Sequence, residues 1–162
     1  MENVDPTLDP IKLYTEIAKK DDWNYTLVDP SGIAFATTID DYPDTTIGTH
    51  VTWHPEEKLL AIVATLECSS DVINSNDMCA ISNELNQGSW GSTFVWIEEN
   101  AVMTCKTVFE LDRVELTEEY AQEIITRPAS FLKNLLIVIY PKAETAKTVF
   151  LLNADSPTKG SA

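Results

Sequence analysis

Two histidines and three cysteines are the side chains that could give this 162-residue chain metal or nucleophile chemistry. His50 and His54 share a face of an alternating, strand-like segment, but at ~3.3 Å per residue they lie about 13 Å apart. That separation is too long for both to bind one metal ion. Cys68, Cys79 and Cys105 have no CxxC spacing, and no histidine is placed to activate a thiolate. The sequence therefore predicts neither a metal centre nor a cysteine nucleophile.

Two further motifs resemble ligand sites only superficially. Asp40, Asp41 and Asp44 are close together, but a calcium loop also needs a Gly at position six and a Glu at position twelve. Residues 88–91 contain two glycines, without the spacing or the following helix of a phosphate-binding loop. We therefore expect no catalytic residues, no metal and no cofactor, and we expect a protein that is not an enzyme.

The charge of the chain restricts its partners. It has 26 acidic and 11 basic residues, a formal charge of −15, and residues 1–110 carry −14 of it. Binding to nucleic acid needs a surface of Lys and Arg, and this surface would repel a polyanion. An acidic face steers basic protein partners, although it could equally serve only to keep a small domain in solution.

The length and the apolar runs indicate one domain that does not enter a membrane. We expect a single α+β domain over residues 9–153, with flexible termini at 1–8 and 154–162. No run approaches the ~18 apolar residues of a membrane span, and the first twenty residues lack the apolar core of a secretory signal. An odd number of cysteines fits a reducing compartment, so the predicted location is the cytoplasm.

The first half of the chain predicts a helix followed by four strands. Asp9 is a candidate N-cap with Pro10 in the first helical position, and apolar residues then recur at spacings of three and four. The segment Leu59–Leu66 is apolar on both faces, which predicts a central strand that is well covered. The four predicted strands are Trp23–Val28, Ile33–Ile39, Ile47–His54 and Leu59–Leu66.

The second half predicts a helix, a hairpin and a long final helix. The hairpin joins 90–98 to 101–111 at Glu99 and Asn100, where Asn tolerates a positive φ. Thr117 should cap the last helix, Pro128 should kink or restart it, and Pro141 should end it before a short apolar element at 143–153. The predicted order is α-β-β-β-β-α-β-β-α. Its short connections favour a single antiparallel sheet with helices packed on one face, an α+β fold.

Three stretches carry a resemblance to a known family. They are Ala80–Asn86, the strand pair that follows it, and Leu116–Glu119 with its helix containing Phe131 and Leu135. Over roughly residues 9 to 140 the chain resembles the YbjN family, which is similar in fold to the type III secretion chaperones. The resemblance implies a small acidic protein, usually a dimer, that binds other proteins or acts in regulation. The apolar segment Thr148–Leu152 departs from the family and could cover its usual interaction surface.

The sequence thus favours a non-enzymatic protein-binding module, chaperone-like or an adaptor, that forms a homodimer through an uncovered sheet face. A partner segment would dock on apolar side chains of the sheet or second helix, or add a strand at an edge. The candidate contact residues are Trp53, Trp90 and Trp96, each of which could instead belong to the core. The alternative is a small-ligand sensor with a pocket between the sheet and the helices, which a fully packed sheet face would exclude.

Overall fold

The computed structural model describes residues 9–29, 31–39, 42–67, 74–88 and 91–155, with backbone alone at 38, 42–44 and 137–155. Three helices and six strands make up the described chain. In order they are α1 (Pro10–Lys20), β1 (Tyr25–Leu27), β2 (Gly32–Ile39), β3 (Tyr42–His54), β4 (Leu59–Glu67), α2 (Ser75–Gly88), β5 (Ser92–Ile97), β6 (Val102–Glu110) and α3 (Glu118–Asp155). Within these ranges, no helix combines the length and apolar character needed to cross a membrane.

All six strands form one antiparallel sheet in the order β1-β2-β3-β4-β6-β5. Helices α1 and α3 pack on one face of the sheet, and α2 packs against β5. This arrangement confirms the predicted fold class and the predicted order of elements. The proposed limits of the domain, 9–153, stay a prediction.

Local signals positioned α1 as expected. The Asp9 side chain accepts a hydrogen bond from the backbone N–H of Ile11 at 3.0 Å, and Pro10 occupies the first turn. The fully buried Tyr14 donates its hydroxyl proton to the carbonyl of Ala121 at 3.0 Å. That bond fixes α1 against α3 across the sheet face.

Strand β4 is central, and the described helices cover only one of its faces. Leu60, Ile62 and Leu66 point toward the helices and are fully buried. Leu59 and Val63 lie on the opposite face, where no described helix packs, and they are half-buried. The prediction that both faces are covered is wrong, because the apolar residues of the second face form an open sheet surface.

The β5–β6 connection differs from the expected turn. Glu98–Asn100 form a 3-10 turn, and the residue with positive φ is Ala101, at 51°. The Ala101 N–H donates to the Glu98 carbonyl at 3.2 Å, which closes the turn. Asn100 therefore needs no left-handed conformation, and the prediction that placed one there is wrong.

Helix α3 begins as predicted and does not end as predicted. The Thr117 hydroxyl accepts the Tyr120 N–H at 3.2 Å, which confirms its capping role. The helix then continues through Pro128 and Pro141 to Asp155, so the predicted end and the separate element at 143–153 are wrong. A proline removes one backbone hydrogen bond. Apolar packing on the sheet stabilises the first half of the helix against that loss, through Leu132, Leu135 and Leu136.

Candidate binding site

A cavity of about 530 Å³ lies between the sheet and α3, beside the turn that connects α1 to β1. It falls where two apolar clusters meet, one under α1 and the start of α3, the other under the middle of α3. Apolar side chains line most of it: Trp23, Phe35, Ile39, Ile47, Ile125 and Ala129. The helix-covered face of the sheet is therefore not fully packed.

Polar groups surround the open side of this cavity. Thr126, Ser130 and Lys133 are spaced four and three residues apart, so they share one side of α3. Asp22 and Asn24 contribute from the α1–β1 turn. The charged members, Asp22 and Lys133, are both exposed, and neither forms a salt bridge within the described residues.

One polar side chain lies deep in the cavity. Thr49 on β3 is only 5% exposed, and its hydroxyl makes no hydrogen bond to the described part of the chain. Thr107 on β6 is a useful comparison because it is 4% exposed on the same face, and its hydroxyl is 2.9 Å from that of Ser92. The two buried threonines thus differ in whether their hydroxyls are paired.

The second candidate site is the sheet face that carries no helix, which we call the open sheet face. Its exposed apolar residues are on the β6–β5 side: Val95, Ile97 and Val108 are 47%, 41% and 44% exposed. Small uncharged residues occupy its central row, which runs Ala36, Gly48, Thr65, Thr104 and Val95 across five strands.

The two edges of the sheet differ. On β5, Asn86 of α2 donates to the Phe94 carbonyl and accepts the Phe94 N–H, both at 2.7 Å. Within the described chain, β1 pairs with β2 on one side and with no strand on the other. Leu27 and Val28, on this strand and directly after it, are 58% and 41% exposed. An unpaired edge of this kind can accept another strand. The sequence predicted this strand within Trp23–Val28, but it did not identify which edge of the sheet would be open.

The predicted tryptophan contacts fall in different places. Trp53 is half-buried against the cluster under α1. Trp96 is half-buried against the other cluster, and its indole N–H donates to the Ser75 hydroxyl at 2.7 Å. Trp90 lies outside the described residues. The structure does not bring Trp53 and Trp96 together, since they pack against different clusters.

The titratable groups of the described chain form no cluster that could hold a metal ion. His50 and His54 are exposed on the open sheet face. Cys79 is exposed and Cys105 is buried, and both are free thiols. Burial raises the pKa of Cys105 to about 11, partly offset by a hydrogen bond with Ser92, so its thiol stays protonated at neutral pH.

Comparison with known proteins supports the fold alone. No family model and no curated protein sequence matches the chain. A chain in the crystal structure of the ExsC–ExsE complex is similar, with a TM-score of 0.55 and 12% identity, covering 79% of this chain and 91% of that one. A chain of the HopA1–SchA chaperone–effector complex has a TM-score of 0.49 and 11% identity, covering 76% of this chain and 90% of that one. YbjN from E. coli has a TM-score of 0.46 and 7% identity, covering 71% and 79%.

The similarity to the chain of the ExsC–ExsE complex agrees with the architecture described above. The chain has the α+β fold of the type III secretion chaperone-like proteins, with one antiparallel sheet and helices on one face.

Proposed function

We propose that this protein is a non-enzymatic protein-binding module, chaperone-like or an adaptor, that takes up an extended segment of a partner protein along β1. The observation that carries the proposal is the edge of β1 beside the exposed Leu27, with which no described strand pairs. An added strand would pair with the backbone of β1, and those of its alternating side chains that lie on the same face as Leu27 would contact Leu27.

Charge defines the partner segment more closely. Asp21 and Asp22 precede β1, Asp29 follows it, and all three are exposed. The chain as a whole carries −15. A segment with alternating apolar residues and flanking Lys or Arg would be steered to this edge and held in register there.

The opposite edge is a poorer site for strand addition. Both outward-pointing backbone groups of Phe94 are already bonded to Asn86. A strand added to β5 would first have to displace that side chain. This difference between the edges favours β1 as the site.

We also propose a homodimer formed through the open sheet face. Two copies that each carry −15 repel one another over most of their surface. The central row of the open sheet face is uncharged and consists mainly of small side chains, which allows two sheets to pack closely. Trp53, Trp90 and Trp96 remain proposed partner contacts, and the proposed location is the cytoplasm.

The test of partner binding uses random 12-residue peptides displayed on phage as the probe. We expect selection on the wild-type protein to enrich peptides with alternating apolar residues and flanking Lys or Arg. The enriched peptides should lose binding to Leu27→Asp and to Leu27→Pro, which removes a backbone N–H that points away from β2, and should keep binding to the matched control Val114→Asp, in an exposed loop. Peptides that bind all three variants equally would contradict the proposal.

A second candidate function, a small-ligand sensor, is favoured by one observation, the cavity between the sheet and α3. Its volume is within the roughly 300–1,000 Å³ of small-molecule sites. In such a sensor, occupation of the cavity would change how copies of the chain assemble. Sedimentation with and without a bound ligand tests this function, and an unchanged distribution of species would contradict it.

A further inference from the structure

We propose that the cavity between the sheet and α3 binds an uncharged, mainly apolar small molecule with one hydrogen-bonding group, which pairs with the Thr49 hydroxyl. This inference extends the second candidate function by naming the class of ligand. It does not depend on partner binding at β1.

The size and lining of the cavity argue against water as its natural content. A volume of about 530 Å³ is large enough for many water molecules. Those deep in the cavity would face Phe35, Ile47, Ile125 and Ala129, which offer them no side-chain hydrogen bonds. Replacing such water by an apolar molecule is favourable, because it removes apolar surface from water on both sides.

The Thr49 hydroxyl sets the position of the polar group in the ligand. Thr49 is 95% buried, lines the cavity and has no partner among the described residues. A ligand that brings a donor or acceptor to this hydroxyl would make its hydrogen bond within a mostly apolar site, in place of the water that otherwise contacts the hydroxyl. Every polar side-chain atom of the described residues that is buried from solvent has a hydrogen-bond partner. The Thr49 hydroxyl therefore remains accessible from the cavity.

The charges at the open side favour an uncharged ligand. Asp22 and Lys133 are the two charged residues in the lining, and their charges cancel. A ligand carboxylate would be attracted by Lys133 and repelled by Asp22. The protein as a whole, with a formal net charge of −15, also repels anions. A ligand ammonium would meet Asp22 but also Lys133. Because the attraction and the repulsion cancel for either ion, the opening favours an uncharged ligand.

The experiment compares four probes of similar length: 1-octanol, octanoate, octylammonium and 1-chloroheptane, which lacks the hydroxyl. Binding to the full chain is followed by amide chemical shifts in NMR titrations. We expect 1-octanol to bind most tightly, with a Kd on the order of a millimolar or lower, and to shift amides of β2, β3 and α3 at the cavity. No saturable shift there, or tighter binding of either ion, would overturn the proposal.

Two substitutions test the position of the ligand. Ala129→Trp places a large ring in the cavity and should abolish binding of 1-octanol. The control Ala80→Trp makes the same change at an exposed position of α2, and should leave binding unchanged. Undiminished binding to a folded Ala129→Trp would overturn the proposal.

A further substitution tests the hydrogen bond. Thr49→Val keeps the shape of the side chain and should weaken 1-octanol by about 2- to 12-fold, while 1-chloroheptane binds at least as well as before. Thr107→Val, at the buried threonine whose hydroxyl is paired with Ser92, should change neither affinity. Equal weakening of both probes by Thr49→Val would contradict the pairing.

Binding of 1-octanol without a change in assembly would contradict the sensor function and leave the class of ligand supported.

Discussion

The Asn86 side chain on α2 binds both outward-pointing backbone groups of Phe94, so that it takes the place of a neighbouring strand at the middle of β5. Together with the bond from the Trp96 indole to Ser75, it fixes α2 to the edge of the sheet. Edge strands are prone to pair with other chains, and a side chain that saturates the edge prevents this. The asymmetry between a closed β5 and an open β1 underlies the proposed mode of partner binding.

Substitution of Asn86 should loosen α2. Asn86→Ala removes both hydrogen bonds to Phe94, and we expect the free energy of unfolding to fall by about 1–3 kcal/mol. Urea denaturation measures the loss, and hydrogen exchange should show faster exchange of the Phe94 amide. Asn83→Ala, an exposed position of the same helix, is the matched control. Equal stability of the two variants would show that the pairing contributes nothing.

Tyr14 should make stability depend on alkaline pH. Burial is the main cause that raises its pKa, with a smaller contribution from Tyr120, and its hydroxyl donates to the Ala121 carbonyl. Because the pKa of the folded state lies above the ordinary value of about 10, the stabilisation is complete below pH 10 and is lost as the pH rises further.

We therefore expect Tyr14→Phe to lower stability at pH 7 by about 1 kcal/mol, through loss of the hydrogen bond. The difference between the two proteins should shrink in urea denaturation above pH 10. A difference that stays constant up to pH 11 would mean that Tyr14 does not titrate with unfolding.

Thr49 and Thr107, two of the buried threonines, should respond oppositely to removal of the hydroxyl. Thr107→Val breaks a hydrogen-bonded pair and leaves Ser92 with one partner fewer, so it should lower stability by about 1–2 kcal/mol. Thr49→Val removes a hydroxyl without a partner, so it should leave stability unchanged or raise it. Thermal unfolding of both variants measures the contrast. Destabilisation by Thr49→Val equal to that by Thr107→Val would mean that the Thr49 hydroxyl is paired.

The proposed dimer predicts an effect confined to the open sheet face. Val108→Asp places two carboxylates in the interface, one from each copy, and should raise the dimer dissociation constant on the order of a hundredfold. Val114→Asp is the matched control, because Val114 is 45% exposed, close to the 44% of Val108, and lies outside the sheet. Sedimentation equilibrium at micromolar concentration measures both. A wild-type protein that sediments as an 18.1 kDa monomer would remove the proposed dimer.

The sequence predicted those parts of the fold that depend on local signals. The cap at Asp9 and the cap at Thr117 depend on neighbouring residues, and both form as expected. The alternation in the strands also predicted the sheet, because one buried face imposes a period of two. By contrast, the continuation of α3 through Pro128 depends on tertiary packing, and no local pattern contains that information.

The candidate sites were harder to predict. Each depends either on space left unfilled between elements or on contacts between residues far apart in the sequence. Phe35, Ile47 and Thr49 have the spacing of ordinary core positions, and nothing in that pattern shows that space is left above them. Asn86 is typical of a helix end, and its bonds to Phe94 exist only after α2 has packed on β5. The sequence predicted the strand that contains β1 and allowed for strand addition at an edge, but it did not indicate which edge.

The most direct test of the proposed function is amide hydrogen exchange of β1 with and without a peptide selected by the wild-type protein. If the peptide adds as a strand, amides within Tyr25–Leu27 that point away from β2 should exchange at least tenfold more slowly in the complex. Those of β5 should keep their rates. Protection that appears on β5 or on the open sheet face, with β1 unchanged, would contradict the account.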